Sequence, residues 1–274
     1  MFKEQNIKPD VILFLGDSNS VLASVPLRKE GYKVGHIEAG MRSYDERMLE
    51  ELNRKVCDHM SNFLFVYHEN YRLKALAEGI QESRIHVVGN TIVEPLEDIA
   101  DLDYVGTKEH ILLDIHRPEN FNYQDRLENI IRFANTIGRK VNKPVKMLNF
   151  NRTMKQIENY SINLGDIEVI PLMGYKKFIT FMQDSHFIIS DSGTAQEEPA
   201  LLNIPVLVPR EYTERPESVA HQNSKMIKLT DIDKIDYDEY IDFCRTRGTM
   251  STSWLGDGKT SDRIIKILER ELNE

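Results

Sequence analysis

Long hydrophobic runs are missing from this chain. No stretch approaches the roughly 18 apolar residues that a membrane-spanning helix requires, and the N-terminus has no signal-peptide pattern, so a cytoplasmic protein that does not enter the membrane is expected. Cysteine is scarce: Cys57 and Cys244 stand far apart without metal-ligand spacing and read as buried, reduced thiols. Basic charge is not in excess. A formal net charge of -9 leaves nothing to release counterions from a phosphate backbone, which excludes a general nucleic-acid surface. It does not exclude a nucleotide ligand, because a few local cations or helix N-termini can hold a diphosphate. Solenoid repeats and low-complexity segments are also absent. What is present is ordinary for a globular protein, with 274 residues, 41% hydrophobic and 29% charged, long enough for two modest α/β domains.

Short apolar runs alternate with amphipathic stretches from end to end. The pattern predicts strands at Asp10–Leu15, Lys33–Glu38, Phe63–Tyr67 and Ile85–Val88. Helical patterns lie between them at Ser20–Glu30, Glu46–Met60 and Asn70–Glu78, and a further one runs from Ile92 to about Leu102. These strands are rich in Val, Ile and Phe without polar alternation, as buried parallel strands are. A polar pause at Asp103–Glu109 precedes a second series. Its strands are expected at His110–Ile115, Val145–Asn149, Ile167–Ile170, His186–Ser190 and Pro205–Val208. Its helices are expected near Arg126–Arg139, Thr153–Leu164, Tyr175–Gln183 and Thr194–Leu202. Repeated βα units imply doubly wound parallel sheets. The expected architecture is therefore α/β with two Rossmann-like domains across a cleft, residues 1–105 and 106–274, the second carrying the C-terminal helix.

In such sheets ligands sit beyond the C-terminal strand ends, and those ends carry polar clusters. Gly16-Asp17-Ser18-Asn19-Ser20 follows the first strand. Gly16 permits a tight turn, and Asp17 belongs either to a helix cap or to chemistry. In His36-Ile37-Glu38-Ala39-Gly40-Met41-Arg42, Glu38 ends a buried strand. It must be paired, solvated or protonated, with Arg42 an available partner, or act as a tuned acid or base. Glu50-Glu51-Leu52-Asn53-Arg54 lies in a helix whose apolar face is marked by Met48, Leu52 and Val56. Its adjacent acids read as a solvated face, or as catalytic groups one loop after Glu38. Ser190-Asp191-Ser192-Gly193-Thr194, followed by Gln196-Glu197-Glu198, joins a strand to a helix. The segment reads as a plain helix cap, or, since Ser-Gly-Thr followed by Gln-Glu-Glu is more than a cap needs, as a phosphate cradle formed by the amides of Ser192, Gly193 and Thr194 at the helix's positive end. Arg215, after the Pro205–Val208 strand, could reach the same phosphate bidentately. His116 ends the first strand of the second half and reads equally as a structural or a functional histidine.

Taken in order, these clusters resemble the UDP-N-acetylglucosamine 2-epimerase family. Gly89-Asn90-Thr91, His116-Arg117, Thr213-Glu214-Arg215-Pro216-Glu217 and Gly256-Asp257-Gly258-Lys259 complete a set spanning essentially the whole chain. The resemblance implies the two-domain, glycosyltransferase-B-like fold. It also implies removal of the C2 proton of a UDP-amino sugar while UDP leaves C1, giving a glycal to which UDP or water then adds. The substrate implied is UDP-N-acetylglucosamine, its manno epimer or a 6-deoxy relative. Asp17, Glu38 and Glu51 match the family's acidic catalytic residues, and His116 its histidine near the diphosphate. Ser192, Gly193 and Arg215 match its phosphate contacts, and Glu198 the carboxylate that takes the ribose hydroxyls. Arg42 is grouped with the substrate contacts. Phe178 falls where an aromatic side chain packs on uracil, or it is a core residue of its helix. No metal or redox cofactor is implied, and a homodimer is.

The chain also departs from the family pattern. Roughly the first three βα units of the first domain are missing, so that domain is expected to be incomplete and Asp10–Leu15 to lie at an exposed sheet edge. Phe150-Asn151 precedes Arg152-Thr153 where relatives carry His-Pro, Pro118 stands for Arg or Glu, and Leu49 for Pro. These departures keep two other readings open: a catalytically inactive UDP-sugar-binding subunit, or half of a split epimerase that needs a separate N-terminal fragment. A glycosyltransferase of the same architecture is a third, though three carboxylates before residue 55 serve a C2 base better than an acceptor site.

Overall fold

The computed structural model describes residues 7–46, 48–245 and 251–273. The chain divides into two compact units: residues up to Glu94 together with those from Ser253 onward, and Pro95–Thr252. Each is built on its own parallel sheet.

The first unit has four strands in the order β1-β2-β3-β4: β1 Ile12–Leu15, β2 Val34–Ala39, β3 Phe63–Val66 and β4 Ile85–Val87. All the pairings are parallel. Alternate side chains of β3 serve opposite faces. Leu64 and Val66 pack with Tyr71 and Ala75 of the Glu69–Ala77 helix. Phe63 and Phe65 pack with Val88, Ile264 and Leu268. The last two belong to the Thr260–Asn273 helix, so the C-terminal helix completes the first unit and not the second. That corrects the expected assignment of everything after residue 106 to one domain. The boundary also falls inside the Val93–Ile99 helix instead of in the polar stretch at Asp103–Glu109, because Leu96 is buried with Leu112 and Ile188 of the second sheet. At the open edge, β1 exposes Leu13 and Leu15.

The second unit has six strands in the order β10-β9-β8-β5-β6-β7. They are β5 His110–Asp114, β6 Val145–Leu148, β7 Glu168–Ile170, β8 Ser185–Ser190, β9 Val206–Val208 and β10 Ser224–Met226. β10 was not expected from the sequence: Ser-Lys-Met carries no apolar run, and three residues suffice at a sheet edge. Ile111, Leu113, Phe187 and Leu207 face one core with the Gln124–Val141 helix. Leu112, Ile188, Val206 and Val208 face another with Ile179 and Met182 of the Tyr175–Gln183 helix. Strand order reverses between β5 and β8, where Asp114 pairs with Ser190. In a doubly wound sheet this switch point opens the ligand crevice beyond the strand ends. The helix expected over Thr194–Leu202 is broken into a 3-10 turn, Thr194–Gln196, and a short helix, Glu198–Leu201, with Pro199 in its first turn.

Gly40 is the tightest backbone position near the Glu38 strand end. Its φ is +75°, and an added Cβ would lie 2.6 Å from the Tyr71 carbonyl oxygen. Gly40→Ala is expected to destabilise the first unit by about 2–4 kcal/mol, through left-handed strain and overpacking together. Urea unfolding of the purified variant measures it.

Candidate active site

In the first unit two strand ends meet. Gly16 turns the chain after β1 with φ +77°, and its amide donates to the Ile37 carbonyl at 3.2 Å. On β2 the register shifts between Ile37 and Ala39, leaving Glu38 as a bulged residue at φ 74°. A bulge re-aims the side chain it carries, and left-handed backbone at a non-glycine residue is strain of the kind that gathers at functional sites. The Glu38 carboxyl lies against the Gly16 turn, since a Cβ on Gly16 would be 3.4 Å from Glu38 Oε2. Asp17, the next residue, pairs with the Arg54 guanidinium. Asp17 and Glu38 are both partly exposed.

Glu51 is different. It is fully buried and accepts from the Ser43 amide at 2.9 Å, the Ser43 hydroxyl at 3.1 Å and the Tyr44 amide at 3.3 Å. Arg54 Nη1 also reaches it at 3.2 Å. Arg54 therefore bridges Glu51 to Asp17. Asn53 adds a bond from Nδ2 to the Asp17 carbonyl at 3.0 Å. The helix carrying these residues, Leu49–Met60, is turned opposite to its apolar pattern: Glu51, Asn53, Arg54 and Asp58 are buried, while Leu49, Leu52 and Val56 are exposed. The expected solvated acidic face at Glu51 is thus corrected, because its polar side builds the network.

The expected pairing of Arg42 with Glu38 is not found. Arg42 is 1% exposed, and its guanidinium reaches Asp58 at 2.7 Å, Glu78 through two bonds and the Met41 carbonyl. A buried cation takes the carboxylates that enclose it, and here those are Asp58 and Glu78. Asp58 also accepts from the Gly40 amide at 3.1 Å and from His36 Nδ1 at 2.6 Å. Burial alone would raise the Asp58 carboxyl, but His36 and Arg42 hold it below its ordinary range.

The second unit gathers its polar groups at the switch point. Asp114 closes β5 and accepts from His116 Nδ1 at 2.9 Å and the Ser190 hydroxyl at 2.8 Å. With its Nδ1 hydrogen on Asp114, the imidazole leaves Nε2 as its other functional atom. Burial pushes His116 down, but the Asp114 hydrogen bond and charge outweigh it and raise the imidazole above its usual value. Asp191 is fully buried and accepts the His116 and Arg117 amides and Asn120 Nδ2. Burial raises its carboxyl. One atom each from Asp114, His116 and Asp191 lies within 4.8 Å of the others, a spacing a metal ion can use. All four carboxylate oxygens already accept protein hydrogen bonds, however, which makes the cluster a support for the His116 loop.

Gly193 and Arg215 are in contact: an added Cβ on Gly193 would collide with the Arg215 guanidinium. Arg215 is buried and oriented by Glu197 at 2.7 Å and Glu214 at 3.1 Å. Of the expected cradle amides, that of Ser192 is already bonded to the Ser190 hydroxyl at 3.0 Å, and the break after Gln196 means no long helix stands behind the others. Glu198 Oε1 accepts from the Tyr175 hydroxyl at 2.6 Å. Burial pushes the Glu198 carboxyl up to about 7. Phe178 is half-buried against the cluster containing Ile179 and Met182.

Sequence reasoning missed Asp58, Asp114 and Tyr175 as members of these clusters, and gave His36 and Arg54, which it placed in them, no role of their own. Asp114 could have been found, since it closes an apolar strand as plainly as Glu38 does. Tyr175 carried no signal of its own.

Two parallel open sheets, each with polar residues gathered at its strand ends, define the class of two-Rossmann-domain α/β proteins built like the B-type glycosyltransferases. Comparison with known proteins narrows this. The family model described as UDP-N-acetylglucosamine 2-epimerase matches residues 3–269. A UDP-N-acetylglucosamine 2-epimerase of Methanococcus maripaludis is 37% identical over 282 residues, covering 95% of this chain and 75% of the relative. One from Methanocaldococcus jannaschii is 34% identical over 292 residues, covering 95% and 75%. The solved M. jannaschii UDP-GlcNAc 2-epimerase in complex with UDP-GlcNAc and UDP is similar with a TM-score of 0.85 at 30% identity, covering 98% of this chain and 77% of that one. S. aureus MnaA with UDP gives 0.84 at 28% identity, covering 99% and 76%. The chain belongs to the UDP-N-acetylglucosamine 2-epimerase family.

Glu51 and Asp17 are separable by experiment. Glu51→Gln places an amide among four donors and leaves Arg54 short of charge, so a loss of about 3–5 kcal/mol in stability is expected. Asp17→Asn is expected to cost clearly less, because Arg54 keeps Glu51. Denaturant unfolding of the two variants side by side checks the order.

Proposed function

We propose that this chain interconverts UDP-N-acetylglucosamine and UDP-N-acetylmannosamine through elimination of UDP and its re-addition. The observation that carries this is a pair of partly exposed carboxylates, Asp17 and Glu38, held against one glycine turn above a buried ion-pair network. A C2 epimerase needs an acid/base group for each face of C2, and these two fill that need. In the forward step one carboxylate takes the C2 proton. The C–H electron pair becomes the C1=C2 bond of a glycal, and the C1–O bond breaks with its pair leaving on the β-phosphate oxygen. In the return step that oxygen attacks C1 and the second carboxylic acid protonates C2 from the opposite face. General acid/base help of this kind is worth about 10²–10⁴ in rate.

Glu51, fully buried, serves in this reading as a positioning residue that sets Asp17 through Arg54. The second unit binds the nucleotide. His116 and Arg215, with the Ser192 side chain and the Gly193 backbone, meet the charge that grows on the departing diphosphate. Glu198 accepts the ribose hydroxyls, and Phe178 offers its half-exposed face to uracil. Among the described residues no helix is long and apolar enough to cross a membrane. The form this reading carries is a cytoplasmic homodimer.

Incubation with UDP-N-acetylglucosamine in deuterated water tests the proposal. Deuterium at C2 of recovered UDP-sugar is the expected result, with Asp17→Asn and Glu38→Gln each lowering its rate by about 10²–10⁴. Binding without label would make the chain an inactive UDP-sugar-binding subunit, and sugar transfer without label a glycosyltransferase. Label found only after an N-terminal family fragment is supplied would make it half of a split enzyme. Free labelled sugar with UDP would show that water, not UDP, completes the reaction.

Glu198 adds a pH signature. With its carboxyl at about 7, it gains charge, and strength as an acceptor, as pH rises through that value. The ratio of UDP affinity in wild type to that in Glu198→Gln is expected to grow between pH 6 and pH 8. The ratio cancels the titration of UDP and His116, and calorimetry at several pH values reads it.

A further inference from the structure

His36 lies wholly buried in β2, and the reaction proposed above does not use it. Its two ring nitrogens face two acceptors. Nε2 is 2.8 Å from the Gly16 carbonyl oxygen, and Nδ1 is 2.6 Å from Asp58 Oδ1. A backbone carbonyl never donates, so Nε2 must carry hydrogen. A neutral imidazole would then present a bare Nδ1 lone pair to the Asp58 carboxylate. Asp58 cannot easily supply the missing proton, because its other oxygen accepts from the Gly40 amide and pairs with Arg42 at 2.7 Å, both of which favour the ionised form. Hydrogens on both ring nitrogens satisfy every acceptor.

We infer that His36 is a positioning residue held permanently as an imidazolium, which ties the Gly16–Asp17 turn to the Leu49–Met60 helix and so fixes where the Asp17 carboxylate stands. The turn is then held at three points: by His36 at the Gly16 carbonyl, by the Ile37 carbonyl at the Gly16 amide, and by Asn53 at the Asp17 carbonyl. Through Asp58 the same cation also reaches the Gly40 amide, just beyond Glu38. The charged and titratable groups around His36 are Asp58 and Cys57 on the Leu49–Met60 helix and Arg42 beyond Asp58. Asp17 with its Arg54 partner lies on the turn side. Burial alone would drive the imidazole toward neutrality, but the Asp58 charge and hydrogen bond override it and lift the imidazole to about 10. A histidine raised in the fold stabilises it fully below about pH 6.5 and loses that contribution as pH rises through about 10.

The consequence for Asp17 rests on the proposed function, but the state of the imidazole does not, so the two are measured separately. In protein labelled at histidine, both His36 ring nitrogens are expected at imidazolium 15N shifts from pH 6 to pH 9. Titration near 6.5, or one bare nitrogen at pH 7, overturns the inference. In His36→Gln one donor can still serve the Gly16 carbonyl while the charge is gone. The Asp17 carboxyl carbon, expected as a single sharp resonance in wild type, should broaden or split in the variant. C2 deuterium exchange should fall roughly 10- to 100-fold in kcat, the loss that a misplacement on the order of 1 Å produces, with KM changing less than about threefold because the nucleotide contacts lie elsewhere. An unchanged Asp17 resonance, or kcat unaltered with the variant folded, sinks the positioning role. If wild type exchanges no deuterium, the proposed function fails, while the nitrogen and Asp17 resonances still decide the inference. Should His36→Gln not fold, the wild-type nitrogens alone decide whether the imidazolium stands.

Discussion

A carboxylate stripped of water costs several kcal/mol unless charge and hydrogen bonds replace what it lost, and the first unit is arranged around that demand. Asp58, Glu51 and Asp17 are met by His36, Arg42 and Arg54 in a chain of contacts running through one helix and two strand ends. Each cation serves more than one acceptor, and Arg54 alone joins Glu51 to Asp17. Removing Arg42 or Arg54 would leave a buried carboxylate, Asp58 or Glu51, short of the charge that compensates it. That is why the network holds its geometry more firmly than surface ion pairs, whose contributions are small.

The second unit solves the same problem with other means. Asp191 is as deeply buried as Asp58, but amides of the His116 loop and Asn120 meet it, with the His116 imidazole further off at 3.6 Å, where Asp58 has His36 at 2.6 Å and Arg42 at 2.7 Å. Neutral donors compensate less than cations do. Burial accordingly dominates at Asp191 and raises its carboxyl, while Asp58 is held low. The difference suits the two roles. A group that anchors a loop can tolerate partial neutrality, whereas a carboxylate enclosed by Arg42 and His36 must keep its charge to keep them in place.

This contrast also marks how far the sequence could be read. Alternating apolar runs gave away both sheets, because parallel strands buried on two faces have little freedom in composition. Clusters at strand ends were visible for the same reason, Glu38 standing out at the end of Val34–Ala39. Partners were not visible. Arg42 is four residues from Glu38, yet it turns to Asp58 and Glu78, which lie 16 and 36 residues further along the chain. Nor could the Leu49–Met60 helix be oriented. Periodicity identifies an apolar stripe and assumes that the stripe faces inward, an assumption that fails where a polar network occupies the interior. The Thr260–Asn273 helix had an apolar face without an address, and only packing against Phe63 and Phe65 assigns it to the first sheet. Thr194–Leu202 read as one helix because propensity does not register the backbone break at Glu197, which lies just before Pro199.

Strain and rigidity are linked in this design. The bulge at Glu38 holds a non-glycine residue in left-handed backbone, a cost of about 1–2 kcal/mol that an isolated strand end would shed by relaxing. It cannot relax here, because the residues on either side are committed. Ile37 accepts the Gly16 amide, and the Gly40 amide is bonded to Asp58. Asp58 is in turn locked by His36 and Arg42. The ion pairs beneath the strand end therefore do more than neutralise one another. They hold a backbone conformation that points one carboxyl out of the ladder and against a turn whose next residue carries another. On the reading proposed above, in which Asp17 and Glu38 deliver protons to two faces of one carbon, this backbone geometry sets where each acid starts, and side-chain rotamers have less left to decide.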